Sequence, residues 1–417
     1  MSTELGQLSA VKPTTGFISR TFQPFRYRDF RLIWAGAFTS TTGTWMQSVA
    51  QSWLVLELTG SAFYLGLVSF LADLPILLFS LVGGVAADRM DRRKLLLGSQ
   101  FIQMTCAFVL TALVLLDRVH IWHILALAFI AGTGMSFGGP AYQALIPGLV
   151  GRDDVPRAIA LNSIQFNLAR TVGPLIAGVA IAAGGMALCF GLNGISFLAV
   201  IFSLYLIRAN FVPQKTGDSV LKGLRDGFAY IKGRGALWQL TVLGFVSTFC
   251  GIPLLTLLPV FAKDIFHLEA TGFSRMVATS GAGAIIGALL YAGLSHNKHR
   301  ASLVLWVQIA FALLLATFAL SRILSLSYVV LFLTGMCLIA MFASITSLVQ
   351  LGTSEEMRGR TMSIFMLAFR GGMPIGSLSV GFLAEQFSPP AALLAASVLL
   401  ASVAVGFLLS NSGLKRL

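Results

Sequence analysis

Three ionisable residues stand inside stretches that are otherwise apolar: Asp73, Arg170 and Arg370. A charge within an apolar span is costly and marks a functional position by default. Asp73 lies 15 residues before Asp88, about 22 Å of helix at 1.5 Å per residue. Arg170 lies 13 residues after Arg157 and Arg370 lies 10 after Arg360, about 20 Å and about 15 Å by the same rise. All three fall near the middle of a membrane-spanning helix. Burial favours a neutral carboxyl and a nearby guanidinium favours the carboxylate, so a carboxyl swung between such surroundings takes up and releases a proton. Asp73 is therefore the candidate proton-coupling group. A permanent structural ion pair is the other reading. The excess of intramembrane arginine also permits an anionic substrate.

The elements that must hold these residues are membrane spans. Of 417 residues, 56% are apolar and only 11% charged, with a mean hydropathy of +0.85. An average soluble protein carries about 25% charge, so a globular cytosolic enzyme and a disordered chain are both excluded. Apolar runs long enough to cross a bilayer number twelve. The first six lie near 30–57, 62–87, 95–116, 122–148, 157–183 and 186–208, the second six near 236–262, 272–294, 301–321, 326–351, 360–386 and 390–410. The breaks carry turn residues: Thr59-Gly60-Ser61, Asp117-Arg118, Gly184-Gly185 and Ser388-Pro389-Pro390.

The net charge of +13 records orientation. With alternate loops on opposite sides, 23 of the 29 Lys and Arg fall on the side of the termini, and four (Arg118, Lys263, Arg275, Arg322) on the other. Cytoplasmic loops are enriched in these residues, so both termini are expected in the cytoplasm. The expected organisation is a cytoplasmic segment 1–28, a six-helix bundle 29–208, a cytoplasmic linker 209–235 and a second bundle 236–417. In the linker, Leu221, Leu224, Phe228 and Ile231 recur at helical spacing among Lys222, Arg225, Asp226 and Lys232, which predicts an amphipathic helix on the membrane surface. The isolated cysteines Cys106, Cys189, Cys250 and Cys337 indicate neither a disulfide framework nor a thiolate metal site. Residues 1–25 show no removable signal peptide.

The two halves are related. Gly151-Arg-Asp-Asp-Val-Pro-Arg-Ala leads to Arg170-Thr-Val-Gly-Pro174, and Thr353-Ser-Glu-Glu-Met-Arg-Gly-Arg leads to Arg370-Gly-Gly-Met-Pro374. Both open the fifth span of their half, as in transporters built from parallel repeats.

Between the second and third spans stands Gly84-Val-Ala-Ala-Asp88-Arg89-Met-Asp91-Arg92-Arg93-Lys94. A stop-transfer cluster explains the basic residues but not Gly84 and Asp88 at their offsets. The stretch resembles the cytoplasmic loop signature of the major facilitator superfamily. That resemblance implies a gate in which Asp88 faces the start of the eleventh helix near Gly359-Arg360, where a helix dipole favours a carboxylate. The basic residues would pair with acids such as Asp153 or Asp154. The corresponding loop of the second half, Ser295-His-Asn-Lys298-His-Arg300, lacks the Asp, so the lock is expected on one half only.

The fifth span resembles the exporter signature of that superfamily in degenerate form, with Ala160, Ala169, Gly173, Pro174, Ala177 and Gly178 at its places. Three glycines have become alanine, yet every position stays small or Pro, which keeps close helix packing open. An ordinary packing face is the alternative. Over roughly residues 25–410 the chain is similar to the bacterial branch that holds enterobactin exporters and macrolide efflux proteins. Phe25-Arg-Tyr-Arg-Asp-Phe-Arg31 before span one and Arg157-Ala-Ile-Ala-Leu-Asn162 in span five are part of that likeness.

The resemblance implies that helix two packs against helix eleven, which makes Arg370 a plausible partner of Asp73, and that helices one, four, seven and ten line a cavity. Ser40, Thr44, Gln47 and Gln51 form a polar stripe on span one. Tyr142 and Gln143 on span four, and Ser344 and Ser347 on span ten, would face the same space, with Phe38, Trp45 and Phe249 as aromatic walls. Interhelical bonding is the alternative for each hydroxyl. His120-x-x-His123 and His296-x-x-His299 fall in loops and lack the further ligands a metal needs. No nucleotide-binding loop and no nucleophile–base pair is present, so neither a cofactor nor an enzyme is indicated.

The expectation is an all-α integral membrane protein of twelve helices in two six-helix bundles. It would work as a monomeric proton-coupled exporter of amphiphilic small molecules, such as drugs or siderophores, in a bacterial inner membrane. Its partners would be that substrate, protons and the lipid bilayer, with no nucleic acid. The alternatives are a lysophospholipid flippase of the same fold and a membrane sensor or scaffold without transport.

Overall fold

The computed structural model describes residues 21–208, 220–294 and 300–410, and among them there is helix but no strand. Helices α1 (Arg28–Thr59), α2 (Ala62–Arg89), α3 (Arg92–Leu115) and α4 (Ile121–Leu145) follow one another through short turns. The run Val155–Leu206 is broken at Gly184 and Gly185, whose backbones leave the helical region. Gly185 has φ +71°, a left-handed conformation that glycine adopts without penalty. We number its two arms α5 (155–183) and α6 (186–206). Then come α7 (Val220–Lys232), α8 (Gly235–Gly251) and α9 (Pro253–Val260), which ends in a π-turn, Phe261–Ile265. The chain closes with α10 (Ala270–Leu294), α11 (Arg300–Leu320), α12 (Leu324–Leu351), α13 (Arg358–Gln386) and α14 (Pro389–Leu409).

Among the described residues ten helices are long and apolar enough to cross a membrane. That number differs from twelve for two physical reasons. The run 152–206 counts once although it bends back at Gly184-Gly185. Helix α1 is not among the ten, because Thr and Gln dilute its apolar content. The seventh stretch, read from sequence as one run over 236–262, is one membrane-length span over Gly235–Ile265, with a single turn at Ile252 whose backbone stays in the helical region before Pro253.

Helices α1 to α6 pack on one another, and α8 to α14 do the same. The two sets meet along two seams, α2 against α13 and α5 against α10. The first seam is tight where α2 begins. A Cβ on Gly66 would meet the Ser377 carbonyl oxygen at 2.5 Å, and one on Gly381 would meet the Ala62 carbonyl oxygen at 2.9 Å, so only hydrogen fits there. At this end one buried apolar cluster runs through both sets, and Trp53 of α1 stacks on Phe273 of α10 with centroids 6.0 Å apart. At the opposite end, where α7 lies, a separate cluster built on Phe30, Leu96, Leu145, Leu161 and Leu204 belongs to the first set alone. The bundles are thus joined at the end away from α7.

Candidate functional site

Asp73 sits in the middle of α2, half-buried, and makes no hydrogen bond or ion pair among the described residues. Among the described residues, the cation that acts on it electrostatically is Arg370 of α13, across the seam between the bundles. The two lie beyond ion-pair distance, and the Arg370 side chain is exposed. One turn farther along α2, Leu77 comes within 3.5 Å of the Cβ position of Gly371. The sequence brought these two residues to one depth; the structure places them on facing helices of different bundles.

Arg170 stands differently. It is 8% exposed, pairs with no carboxylate among the described residues, and lies 5.6 Å from the centroid of the Trp45 indole. A buried cation over an aromatic face gains about 2 kcal/mol when desolvated. The packing around it shows which residues correspond in the two halves. A Cβ on Gly173 would meet Trp45 Cβ, the Thr42 carbonyl oxygen and the Met46 nitrogen. A Cβ on Gly372 would meet Thr248 Oγ1, the Phe245 carbonyl oxygen and the Phe249 nitrogen. Thr248 therefore occupies the place of Trp45 and Phe369 that of Arg170, and among the described residues no indole lies over Arg370.

The small residues of α5 have a packing use. Ala169, Gly173, Pro174 and Ala177 are buried, and Gly173 lets α1 approach closely. A Cβ on Gly178 would meet Ser274 Cβ of α10 at 3.3 Å across the second seam. Ala160 is exposed.

The polar stripe of α1 is partly committed. Asn193 Nδ2 of α6 donates to Gln47 Oε1 at 2.7 Å, and Gln47 Nε2 faces Gln51 Oε1 at 3.5 Å. Thr44 is exposed and donates to the Ser40 carbonyl. The Tyr142 hydroxyl donates to Asn162 Oδ1 at 2.7 Å, while its neighbour Gln143 is exposed. Ser347 is half-buried and free of a hydrogen bond among the described residues. Ser344 corrects the expected cavity lining: it is 6% exposed and donates to Ala340 of its own helix. His123 Nδ1 accepts from the His120 backbone, a helix-start cap.

The gate motif also departs from expectation. Arg92 donates to the Ala87 and Ala144 carbonyls, tying the ends of α2 and α4 together. Arg93 donates to the Tyr205 carbonyl of α6, and Asp91 caps α3. Arg89 and Lys94 are exposed and Gly84 is half-buried. The Asp88 side chain, like the 295–299 loop, lies outside the described residues. The pairing of these basic residues with Asp153 or Asp154 is not what the structure shows. Asp154 is buried and holds Arg157 at 2.6 Å, Arg26 at 3.0 Å and the Tyr27 hydroxyl at 3.1 Å. Those three lie beside it in space, so a buried carboxylate is neutralised locally. Hydrogen bonding to Tyr27 also raises the Arg26 pKa.

Two latches were not evident from the sequence. Glu385 of α13 accepts from the Ser61 hydroxyl at 2.9 Å and the Phe63 backbone N–H at 3.4 Å, capping α2 from the other bundle. On the opposite side α7 holds the start of α13. Arg360 donates to Asp226 at 3.1 Å, Tyr230 and Ser354 share a hydrogen bond, and Ile231 is fully buried. The acidic end of α13 and the tyrosine of α7 were the signals available, but neither names its partner.

Comparison with known proteins places this geometry. The family model described as transmembrane secretion effector matches residues 19–415. The enterobactin exporter EntS of Escherichia coli O1:K1 / APEC is 27% identical over 390 residues, covering 93% of this chain and 92% of that protein. The multidrug efflux pump Tap of Mycolicibacterium fortuitum is 27% identical over 378 residues, covering 88% and 92%. In fold the chain is similar to a bacterial homologue of the human lysosomal transporter Spinster, in an inward-facing and occupied conformation. The TM-score is 0.72 at 13% identity, over 93% of this chain and 97% of that one.

Proposed function

The chain belongs to the transmembrane secretion effector family of major facilitator transporters, and from that premise we propose that it is a proton-coupled exporter of amphiphilic small molecules such as siderophores or drugs. As a secondary transporter of a bacterial inner membrane it moves substrate by exchanging which end of the two bundles is closed. In this reading there are twelve spans, with α8 and α9 forming one, and both termini and α7 lie in the cytoplasm. The structure's open end is then the cytoplasmic one. The bundles are 29–208 and 236–417, and the working unit is a monomer. The names of EntS and Tap support export of such substrates.

The observation that carries the coupling is the unbonded Asp73 facing Arg370 across the moving seam. Closing the α7 end shifts α13 relative to α2, so the guanidinium approaches or leaves the carboxylate in step with access. Arg370 close by favours the carboxylate; its withdrawal favours the protonated form. Two features of the gate remain part of the same proposal: Asp88 meets the start of α13 when that end closes, and the basic cluster keeps the motif at the membrane surface. Thr44, Gln51, Tyr142, Gln143 and Ser347 are the proposed cavity contacts.

The test is efflux of a cationic dye and of a catecholate siderophore from proteoliposomes under an imposed pH gradient. Wild-type protein should accelerate efflux, and dissipating the gradient or introducing Asp73→Asn should return it to the protein-free rate. Undiminished gradient-driven efflux in that variant overturns the assignment of Asp73.

A further inference from the structure

On the outer face of the first bundle, at the end where α7 lies, helices α1 and α6 leave a groove of about 590 Å³. Its α1 wall is a single stripe: Arg28, Arg31, Leu32, Ala35 and Thr39 recur at i, i+3, i+4, i+7 and i+11, one face of a helix. From Arg28 to Thr39 is about 16 Å of helix, close to the depth of one leaflet of a hydrocarbon core about 30 Å thick. The floor is closed by small groups. A Cβ on Gly36 would meet Ser203 Oγ at 2.6 Å and the Ala199 carbonyl oxygen at 2.9 Å. The groove is therefore charged at its mouth and mostly apolar along its length.

The mouth lies at the membrane boundary. Tyr205 and Phe202 of α6 are exposed beside it, at the level where aromatic side chains favour the headgroup region. Two neighbouring arginines are already occupied by the end of α6: Arg28 donates to the Leu206 carbonyl at 3.4 Å and stands 3.7 Å from Asp29, and Arg93 donates to the Tyr205 carbonyl. Arg31 is exposed, and its side chain has no hydrogen bond or ion pair among the described residues. An unpaired guanidinium above a leaflet-deep apolar channel suits a phosphate with a hydrocarbon chain attached.

We propose that this groove binds an anionic phospholipid, its phosphate on Arg31 with Arg28 beside it and one acyl chain along Leu32, Ala35 and Thr39. The lining comes from one bundle only, so the lipid stays bound whichever end of the transporter is closed. A soluble anion would gain the guanidinium and leave the channel below unfilled, which is why the occupant is a lipid.

The experiment uses full-length protein in nanodiscs of phosphatidylglycerol or phosphatidylcholine, released into native mass spectrometry, with retained lipid counted. Wild-type protein should retain phosphatidylglycerol in preference to phosphatidylcholine. Arg31→Gln should lower that retention roughly five-fold, the effect of one basic residue near a membrane surface. Ala35→Phe keeps both arginines and fills the channel from an exposed position, and should lower retention as well; Ala199→Leu is the milder second variant should Ala35→Phe fail to fold. Arg152→Gln, an exposed arginine outside the groove, should change nothing. Equal retention of the two lipids, unchanged retention in Arg31→Gln or in a folded channel-filling variant, an equal loss in Arg152→Gln, or displacement by inorganic phosphate would each overturn the proposal.

Discussion

Arg170 and Arg370 open matching Arg-x-x-x-Pro sequences in the two halves, Arg170 three residues before the glycine that packs on α1 and Arg370 two before the glycine that packs on α8, and they live in opposite surroundings. Arg170 is buried beneath Trp45 with no carboxylate partner. Arg370 is exposed, one residue past the position that matches Arg170 in the glycine packing, and it faces Asp73. One duplicated sequence motif carries a covered cation in the first bundle and an accessible one in the second. The difference teaches where motion can matter: a guanidinium already covered has nothing to exchange, and an open one has.

The largest break in this comparison should come from removing the open cation. Arg370→Gln is expected to abolish gradient-driven efflux while leaving the thermal unfolding midpoint within a few degrees of wild type, measured on the same purified protein. Arg170→Met should do the reverse in stability. A buried charge without a partner is desolvated at a cost, and apolar replacement of buried charged groups of similar volume is often stabilising by about 1–4 kcal/mol. Denaturant unfolding checks this, and a marked loss of stability would show that Arg170 is held by more than Trp45.

A sharper form transfers the second half's residue into the first. Trp45→Thr should uncover Arg170, remove about 2 kcal/mol of cation–π attraction, and make the residue react with phenylglyoxal at the rate of Arg370. Protection of Arg170 in that variant would place its cover elsewhere. A smaller effect is expected at the joined end. Glu385→Gln weakens a charge-assisted cap on α2 by about 1–2 kcal/mol, which should shift the population toward the state open at that end, read as longer spin-label distances between α2 and α13. The smallest belongs to the α7 latch. Both partners of the Asp226–Arg360 pair are more than a third exposed, so Asp226→Asn should alter stability by about 0.5 kcal/mol or less, visible only as faster amide exchange in α7.

What could be read from sequence follows the same division. Membrane spans, the duplicated halves and the three intramembrane charges come from local composition and spacing, which a bilayer constrains strongly. The turn at Gly184-Gly185 and the amphipathic linker were legible for the same reason. The cover of Arg170, the Glu385 cap and the company of Asp154 were not, because each joins residues more than a hundred positions apart. Trp45 was visible as an aromatic wall, but nothing in its spacing says that an arginine of α5 lies beneath it.

The central claim is that the carboxyl of Asp73 carries the proton exchanged against substrate. The most direct measurement is proton movement itself: proteoliposomes enclosing a pH-reporting dye, driven by a substrate gradient with no imposed pH difference. Wild-type protein should move protons opposite to substrate, and Asp73→Asn should still exchange substrate for substrate while moving none. Proton counterflow that persists in Asp73→Asn would contradict the account.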